Sequence, residues 1–102
     1  MHNLELYAVI FTSIRTNQND GYSDMADRMV ELAKQQPGFI DVESARNEIG
    51  ITVSYWESLD AIKAWKQNTE HLFAQRKGRD VWYESYKVRI AKVEREYSFG
   101  KL

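Results

Sequence analysis

FIDVESARNEIGITVSYW, residues 39–56, has the pattern of two β-strands joined by a short turn. Polar and apolar residues alternate in Phe39–Arg46, which puts Phe39 and Val42 on opposite faces of the first strand. Ile49–Tyr55 alternates larger residues with small ones, which predicts the next strand. Because so few residues separate them, the two strands are expected to pair as a β-hairpin.

An amphipathic helix is predicted on each side of this hairpin. Asp20 is expected to cap the helix that precedes it, and Pro37-Gly38 to end that helix. The apolar stripe of this first helix consists of Tyr22, Met25, Ala26, Met29, Leu32 and Ala33. Ser58 is expected to cap the helix that follows the hairpin. The inner side of that second helix would carry Leu59, Ile62, Trp65 and Leu72.

Two further strands are predicted, one near each end of the chain. Leu4–Thr12 is rich in strand-forming residues, and Tyr86–Val93 alternates apolar with charged ones. A basic loop at residues 75–79 would precede the last strand. The resulting order, β-α-β-β-α-β, indicates an α+β fold of the ferredoxin-like sandwich type.

The whole chain, residues 1–102, has the length of one ordinary domain. We expect its core at about residues 4–95 and a C-terminal extension at 96–102. Tyr97 and Phe99 are large apolar side chains within an otherwise polar extension, so they are expected to need cover from elsewhere.

The first strand indicates that both faces of the sheet become buried. It carries Tyr7, Val9 and Phe11 on one side and Ala8 and Ile10 on the other. Two helices can cover only one face of a four-stranded sheet. Since a monomer would expose a large apolar patch, we expect a homodimer whose two sheets pack face to face.

Composition excludes several classes of function. The chain has 14 Lys and Arg against 15 Asp and Glu, so no basic excess is available to hold nucleic acid or an anionic membrane. It has no cysteine, which excludes disulfides, thiolate metal sites and cysteine nucleophiles. Its two histidines, His2 and His71, do not suggest a metal site. No leader sequence is evident at the N-terminus, and we expect a cytoplasmic protein.

No strong catalytic motif is present, so the candidate site rests on single residues of the second helix and its end. Trp65 is either a core residue or the wall of a pocket that positions a flat substrate. His71 projects about 120° around the helix from Trp65, toward the side of Asn68 and Gln75. It is either solvated or the group that moves a proton. Arg79 either ends a solvated helix or holds an anionic substrate oxygen, whereas Asn68 and Gln75 are expected to contact substrate.

Three segments of the sequence resemble the antibiotic biosynthesis monooxygenase family. They are Gln36–Phe39, Val53–Ser58 and Ala61–Trp65, and the resemblance extends over roughly residues 4–95. It implies the fold of a dimeric α+β barrel. The family is functionally mixed: some members oxidise polycyclic phenols to quinones with O₂ and no metal or flavin, others degrade haem, and others act on quinols or aldehydes.

The resemblance also distinguishes between these branches. Trp65 matches the helical Trp of the haem-degrading branch, but the expected axial His falls on Gln75, and Gln is a poor iron ligand. In the quinone-forming branch the Asn expected one turn before Trp65 is Ala61 here, and Asn68 would take over its hydrogen bond. The resemblance therefore implies a cofactor-independent monooxygenase for a small aromatic or quinol-type compound. The alternative is a non-catalytic protein that binds a small molecule or haem on the same scaffold.

Overall fold

The computed structural model describes residues 5–17, 21–76 and 79–101, with only the backbone described for residues 73–76, 79 and 80. The described elements are β1 (Tyr7–Arg15), α1 (Tyr22–Lys34), β2 (Phe39–Arg46), β3 (Gly50–Trp56), α2 (Leu59–Arg76), α3 (Arg79–Trp82) and β4 (Tyr83–Lys92). The strands form one antiparallel sheet in the order β2-β3-β1-β4. The predicted β-α-β-β-α-β order and ferredoxin-like fold are thus confirmed. The basic loop predicted at residues 75–79 is wrong in part, because α2 continues to Arg76 and the short α3 begins at Arg79.

The predicted hairpin is present, but one of its faces differs from the prediction. The register of β2 against β3 shifts between Phe39 and Asp41, and this irregularity inserts Ile40 as an extra residue. Phe39 therefore lies opposite Trp56 and on the same face as Val42, not on the opposite face. The ring of Phe39 meets that of Trp56 edge-on, with 5.5 Å between the ring centroids.

Two apolar clusters join the helices to one face of the sheet. The first consists of Ala33, Trp56 and Ile62, which come from α1, β3 and α2. The indole of Trp56 is fully buried, and its Nε1 donates a hydrogen bond to Ser54 Oγ over 2.8 Å. The second cluster contains Met25, Leu72 and Trp82. Trp56 and Trp82 thus each anchor one of the two clusters.

The starts of the two helices agree only in part with the caps predicted from the sequence. Ser58 Oγ accepts a hydrogen bond from the N–H of Ala61 over 3.1 Å, as expected for an N-cap. Leu59, predicted on the inner side of α2, is 54% exposed, because it lies in the first turn of the helix. Asp20 lies outside the described residues, and the N-cap position of α1 is Gly21, not Asp20 as predicted.

The turn between α1 and β2 depends on Gly38. Its φ of +85° is in the left-handed region, which side chains rarely adopt. A Cβ at Gly38 would also lie only 2.7 Å from the Cβ of Ala61. The absence of a side chain at this position therefore lets the first turn of α2 approach the chain closely.

The face of the sheet away from the helices is uncovered within the described part of the chain. Ile14 of β1 and Ile51 of β3 are exposed there, as is Ile49 just before β3. In the C-terminal segment Phe99 is 99% exposed and Tyr97 is 84% exposed, so neither packs on the described part of its own chain. Of the helices that the structure describes, none is long and apolar enough to cross a membrane.

We predict that Gly38→Ala lowers the free energy of unfolding by about 1 kcal/mol more than Gly21→Ala does. Gly21 has a similar φ of +76°, but its added Cβ would meet Trp82 at an ordinary 3.5 Å. Both variants carry the backbone strain of a left-handed residue, and only Gly38→Ala adds the overlap with Ala61. Urea unfolding of both variants measures the difference, and equal losses would contradict the close approach of α2.

Candidate functional site

The helices leave part of the helix-facing side of the sheet open. α1 lies mainly against β2 and α2 against β3, at one side of the sheet. On β4, Val88 pairs with Phe11 and Ile90 with Val9, so their side chains share the helix-facing side. Tyr86, Val88 and Ile90 are nevertheless 38%, 47% and 52% exposed. We call these three residues the apolar strip.

Trp65 lies near one end of this side of the sheet. Its ring stacks on that of Trp56, with centroids 5.9 Å apart and planes inclined by 28°. Tyr7 and Val9 of β1 pack against the same cluster as Trp65. Because Trp65 is only partly buried, one side of its ring is packed and the remainder can be reached from solvent. This geometry fits both a core tryptophan and the wall of a pocket.

A cluster of arginine and tyrosine residues lies at the other end of β1. The guanidinium carbon of Arg15 is 3.4 Å from the centroid of the Tyr22 ring, the geometry of a cation–π contact. Tyr83, at the start of β4, meets the Tyr22 ring edge-on at 5.9 Å between centroids. Phe11 connects this cluster to the apolar strip. Its ring centroid is 5.6 Å from that of Tyr83, and its ring stacks on that of Tyr86 with 5.2 Å between the centroids.

Arg46 reaches this cluster from the opposite edge of the sheet. It is the last residue of β2, and its Nη2 donates a hydrogen bond to Ser13 Oγ on β1. To do so the guanidinium crosses β3 at Gly50, where any side chain would overlap it. Ser13 and Gly50 are both buried beneath it.

The ionisation of Tyr83 reports on its surroundings. Burial is the main cause that raises the pKa of Tyr83 above its ordinary value, and a hydrogen bond with Tyr22 adds to it. The positive charges of Arg46 and Arg15 lower the same pKa, but by less than burial and the hydrogen bond raise it. The Tyr83 hydroxyl is therefore neutral at neutral pH and lies within the electrostatic reach of two guanidinium groups.

The residues predicted for the site are all on α2 and α3, but the structure describes them unequally. Asn68 is one turn after Trp65, and its Nδ2 donates to Gln36 Oε1 over 3.0 Å and to Ala64 O over 3.3 Å. Its amide therefore ties α2 to the end of α1. His71 is exposed. The backbones of Gln75 and Arg79 lie in α2 and α3, and their side chains are outside the described residues.

Ala61 occupies the position where the resemblance expects an Asn. Its Cβ faces the turn at Gly38, and Ala61 packs against the cluster that contains Trp56. Position 61 is thus used for the contact between α2 and the turn.

The sequence did not identify the Arg15, Tyr22, Arg46 and Tyr83 cluster as a candidate site. The pairing of Arg46 with Gly50 across the hairpin was the available signal, because a glycine there leaves room for a long side chain to cross. Within the described residues, no group of three His, Asp or Glu side chains is placed to hold a metal ion.

A shallow depression of about 240 Å³ lies mainly on the opposite face of the sheet. Its lining combines residues of β1 and β4 with the residue before β3: Thr12, Ser13, Ile14, Ile49, Ser85, Tyr86, Lys87 and Arg89. It belongs mainly to the uncovered face described above, and Tyr86 is the residue that it shares with the apolar strip.

Two proteins have sequences that align with most of this chain. An uncharacterized protein of Bacillus subtilis, YqjZ, is 57% identical over 95 residues, which cover 91% of this chain and 83% of that protein. A protein of Pyricularia oryzae named jasmonate monooxygenase is 29% identical over 93 residues, 86% of this chain and 43% of that protein. The chain thus spans less than half of the second relative.

Solved structures share the fold at low sequence identity. PA3566 from Pseudomonas aeruginosa superposes with a TM-score of 0.71 at 16% identity, over 95% of this chain and all of that one. A mutant of SnoaB, a cofactor-independent oxygenase from Streptomyces nogalater, superposes with a TM-score of 0.69 at 11% identity. That match covers 91% of this chain and 96% of the SnoaB chain.

The family itself is decided by a match over most of the chain. The sequence model of the family described as antibiotic biosynthesis monooxygenase matches residues 6–77, which include β1, the hairpin and the whole of α2. The chain therefore belongs to the antibiotic biosynthesis monooxygenase family.

Proposed function

We propose that this protein is a monooxygenase that oxidises a small aromatic or quinol-type compound with O₂ and without a bound cofactor. The observation that carries the proposal is the apolar strip, three large side chains that the described residues leave uncovered on the helix-facing side of the sheet. A flat ring on this strip would recover the burial that the helices do not supply. Family membership and the oxygenases among its relatives support the choice of reaction.

The chemistry requires little from the protein beyond binding and charge stabilisation. An electron-rich substrate loses a proton, and its anion gives one electron to O₂. The two radicals combine to a peroxide, which collapses to a quinone and water, so that O₂ supplies one oxygen atom to each product. The protein must hold the ring, exclude water and stabilise the anion.

Each residue predicted for the site has one role in this proposal. Trp65 positions the ring from α2, and His71 takes the proton. Asn68, Gln75 and Arg79 contact the oxygen atoms of the substrate. The Asn68 amide would have to exchange its hydrogen bond with Gln36 to do so.

The alternative is a protein that binds a small molecule or haem without turnover. The substitution of Ala61 for the expected Asn favours it, because this chain lacks that substrate contact. We place the protein in the cytoplasm in either case, since a chain without cysteine suits a reducing compartment.

Oxygen consumption tests the catalytic proposal. With metal-stripped protein and a panel of anthrones, naphthols and hydroquinones, we expect O₂ uptake above the spontaneous rate. His71→Ala should lower kcat by about 100-fold, as expected for loss of a general base. Trp65→Phe should raise KM, because the ring loses part of its support. Lys66→Ala is the control, since Lys66 is an exposed residue of α2 whose Nζ lies 4.0 Å from a carboxylate oxygen of Glu70.

Two results would contradict this proposal. If Trp65→Phe and His71→Ala both leave turnover unchanged, the assigned residues do not carry the reaction. If no substrate is consumed faster than it is without protein, the binding-protein alternative is favoured. A haem titration followed near the Soret band would then test the haem form of that alternative.

We further propose that a second copy of the chain covers the face of the sheet away from the helices. This face has an apolar centre, acidic residues on β2 and basic residues on β4. Across it, Arg89 pairs with Ile10, Ile10 with Val53, and Val53 with Glu43, so these four residues form one row. Burial of its exposed isoleucines would supply the driving force.

The charges of this row suggest how two copies would pack. A twofold axis parallel to the strands, between the two sheets, would place β4 of one copy over β2 of the other. Arg89 would then face Glu43 of the partner subunit, with the apolar centre between the two charged edges. Glu43 is held on this face, since it accepts a hydrogen bond from the Tyr55 hydroxyl over 2.8 Å.

Charge reversal tests this arrangement. Arg89→Glu and Glu43→Arg should each weaken dimerisation at least about tenfold, because like charges then face each other. The double variant should restore it. Light scattering distinguishes the 12.0 kDa monomer from a dimer of twice that mass. Arg28→Glu on α1 is the control. A wild-type monomer, or a double variant as weak as the single ones, would contradict the arrangement.

A further inference from the structure

The guanidinium of Arg46 is held in a fixed place on the helix-facing side of the sheet. Its hydrogen bond to Ser13 sets its position over β1, and Gly50 provides the passage across β3. Ser13 pairs directly with Tyr86, the first residue of the apolar strip. The guanidinium therefore lies about one strand spacing, roughly 5 Å, from the strip.

The charge of Arg46 is not neutralised by the described part of the chain. No described carboxylate lies within salt-bridge distance of it, and its side-chain partner there is the neutral hydroxyl of Ser13. A guanidinium has five N–H donors, and the bond to Ser13 uses one of them. The others can form the paired hydrogen bonds that a carboxylate accepts.

We propose that Arg46 forms a carboxylate-binding subsite at the end of the apolar strip, so that the protein selects aromatic acids. The ring would lie on Val88 and Tyr86, and the carboxylate would accept hydrogen bonds from the guanidinium. Phe11 and Tyr83 continue the aromatic surface on this side, since Phe11 touches both Tyr83 and Tyr86. The neutral hydroxyl of Tyr83 adds no negative charge that would oppose such a ligand.

This inference rests on the proposed function for the location of the ring, and it adds a specificity residue on β2. None of the site residues that the sequence predicted is on that strand. Ser13 and Gly50 act as positioning residues, because they fix the guanidinium without having to touch the ligand. Changing Gly50 therefore tests the geometry while leaving the charge of the chain unchanged.

Binding of two matched probes tests the subsite without any requirement for turnover. 1-Naphthol and 1-hydroxy-2-naphthoate share a ring and a hydroxyl, and only the second has a carboxylate at neutral pH. By calorimetry, we expect the wild-type protein to bind the naphthoate at least about tenfold more tightly than the naphthol, in keeping with a charge-assisted, bidentate pair. Arg46→Gln should remove this preference, and Arg46→Lys should keep only part of it.

Two further variants separate a binding role from a structural one. Gly50→Ala should reduce the preference for the naphthoate, because its methyl group displaces the guanidinium while Arg46 remains. Arg28→Gln removes the same charge from the exposed surface of α1 and should leave the preference unchanged. Thermal unfolding of each variant confirms that the protein is folded, and binding of 1-naphthol serves as an internal control.

The outcomes distinguish this inference from the proposed reaction. Equal affinity of the wild-type protein for both probes, or a preference that survives Arg46→Gln, would overturn the carboxylate subsite. A preference that disappears with Arg46→Gln while no O₂ is consumed would support the subsite and contradict the oxygenase. Turnover of neutral phenols with no preference for the acid would support the oxygenase and contradict the subsite.

Discussion

The burial of Trp56 is the interaction on which the rest of the structure depends. Its indole ring lies where β3 ends and both helices approach the sheet, and it is fully buried among α1, α2 and β2. Phe39 meets it edge-on, Trp65 stacks on it, and Ser54 accepts its N–H. Since aromatic rings contribute large buried areas and specific geometry, this single residue fixes how α2 lies on the sheet. Gly38 lets α2 come close enough to complete that contact.

This packing leaves the two faces of the sheet in different situations. The helices sit mainly over β2 and β3. Within the described residues, the helix-facing side of β4 is therefore open along the apolar strip, with Arg46 at one end. The opposite face is not covered by any described element and carries charges of opposite sign on its two edges. A narrow strip next to a fixed positive charge suits a small anionic ligand, whereas a broad face with complementary edges suits a second copy of the chain. In our account, the ligand and the partner subunit therefore occupy different faces.

The sequence predicted the fold well because the fold depends on local patterns. Period-two and helical repeats placed the six main elements in order, and Ser58 marked the start of α2. Prediction from the sequence failed where the structure depends on contacts between residues that are distant in sequence. The face of Phe39 changed because an extra residue shifts the strand register, which alternation alone does not show. Arg46 was missed because its role requires knowing that Gly50 and Ser13 lie beside it.

Methyl NMR during a ligand titration tests the separation of the two faces most directly. Val88 and Ile90 report on the helix-facing side, whereas Ile14 and Ile51 report on the opposite face. When 1-hydroxy-2-naphthoate is added to the wild-type protein, our account predicts shifts of the Val88 and Ile90 methyl resonances and little change at the other two. Shifts concentrated at Ile14 and Ile51 would show that the ligand binds the face we assign to the partner subunit, and would contradict the account.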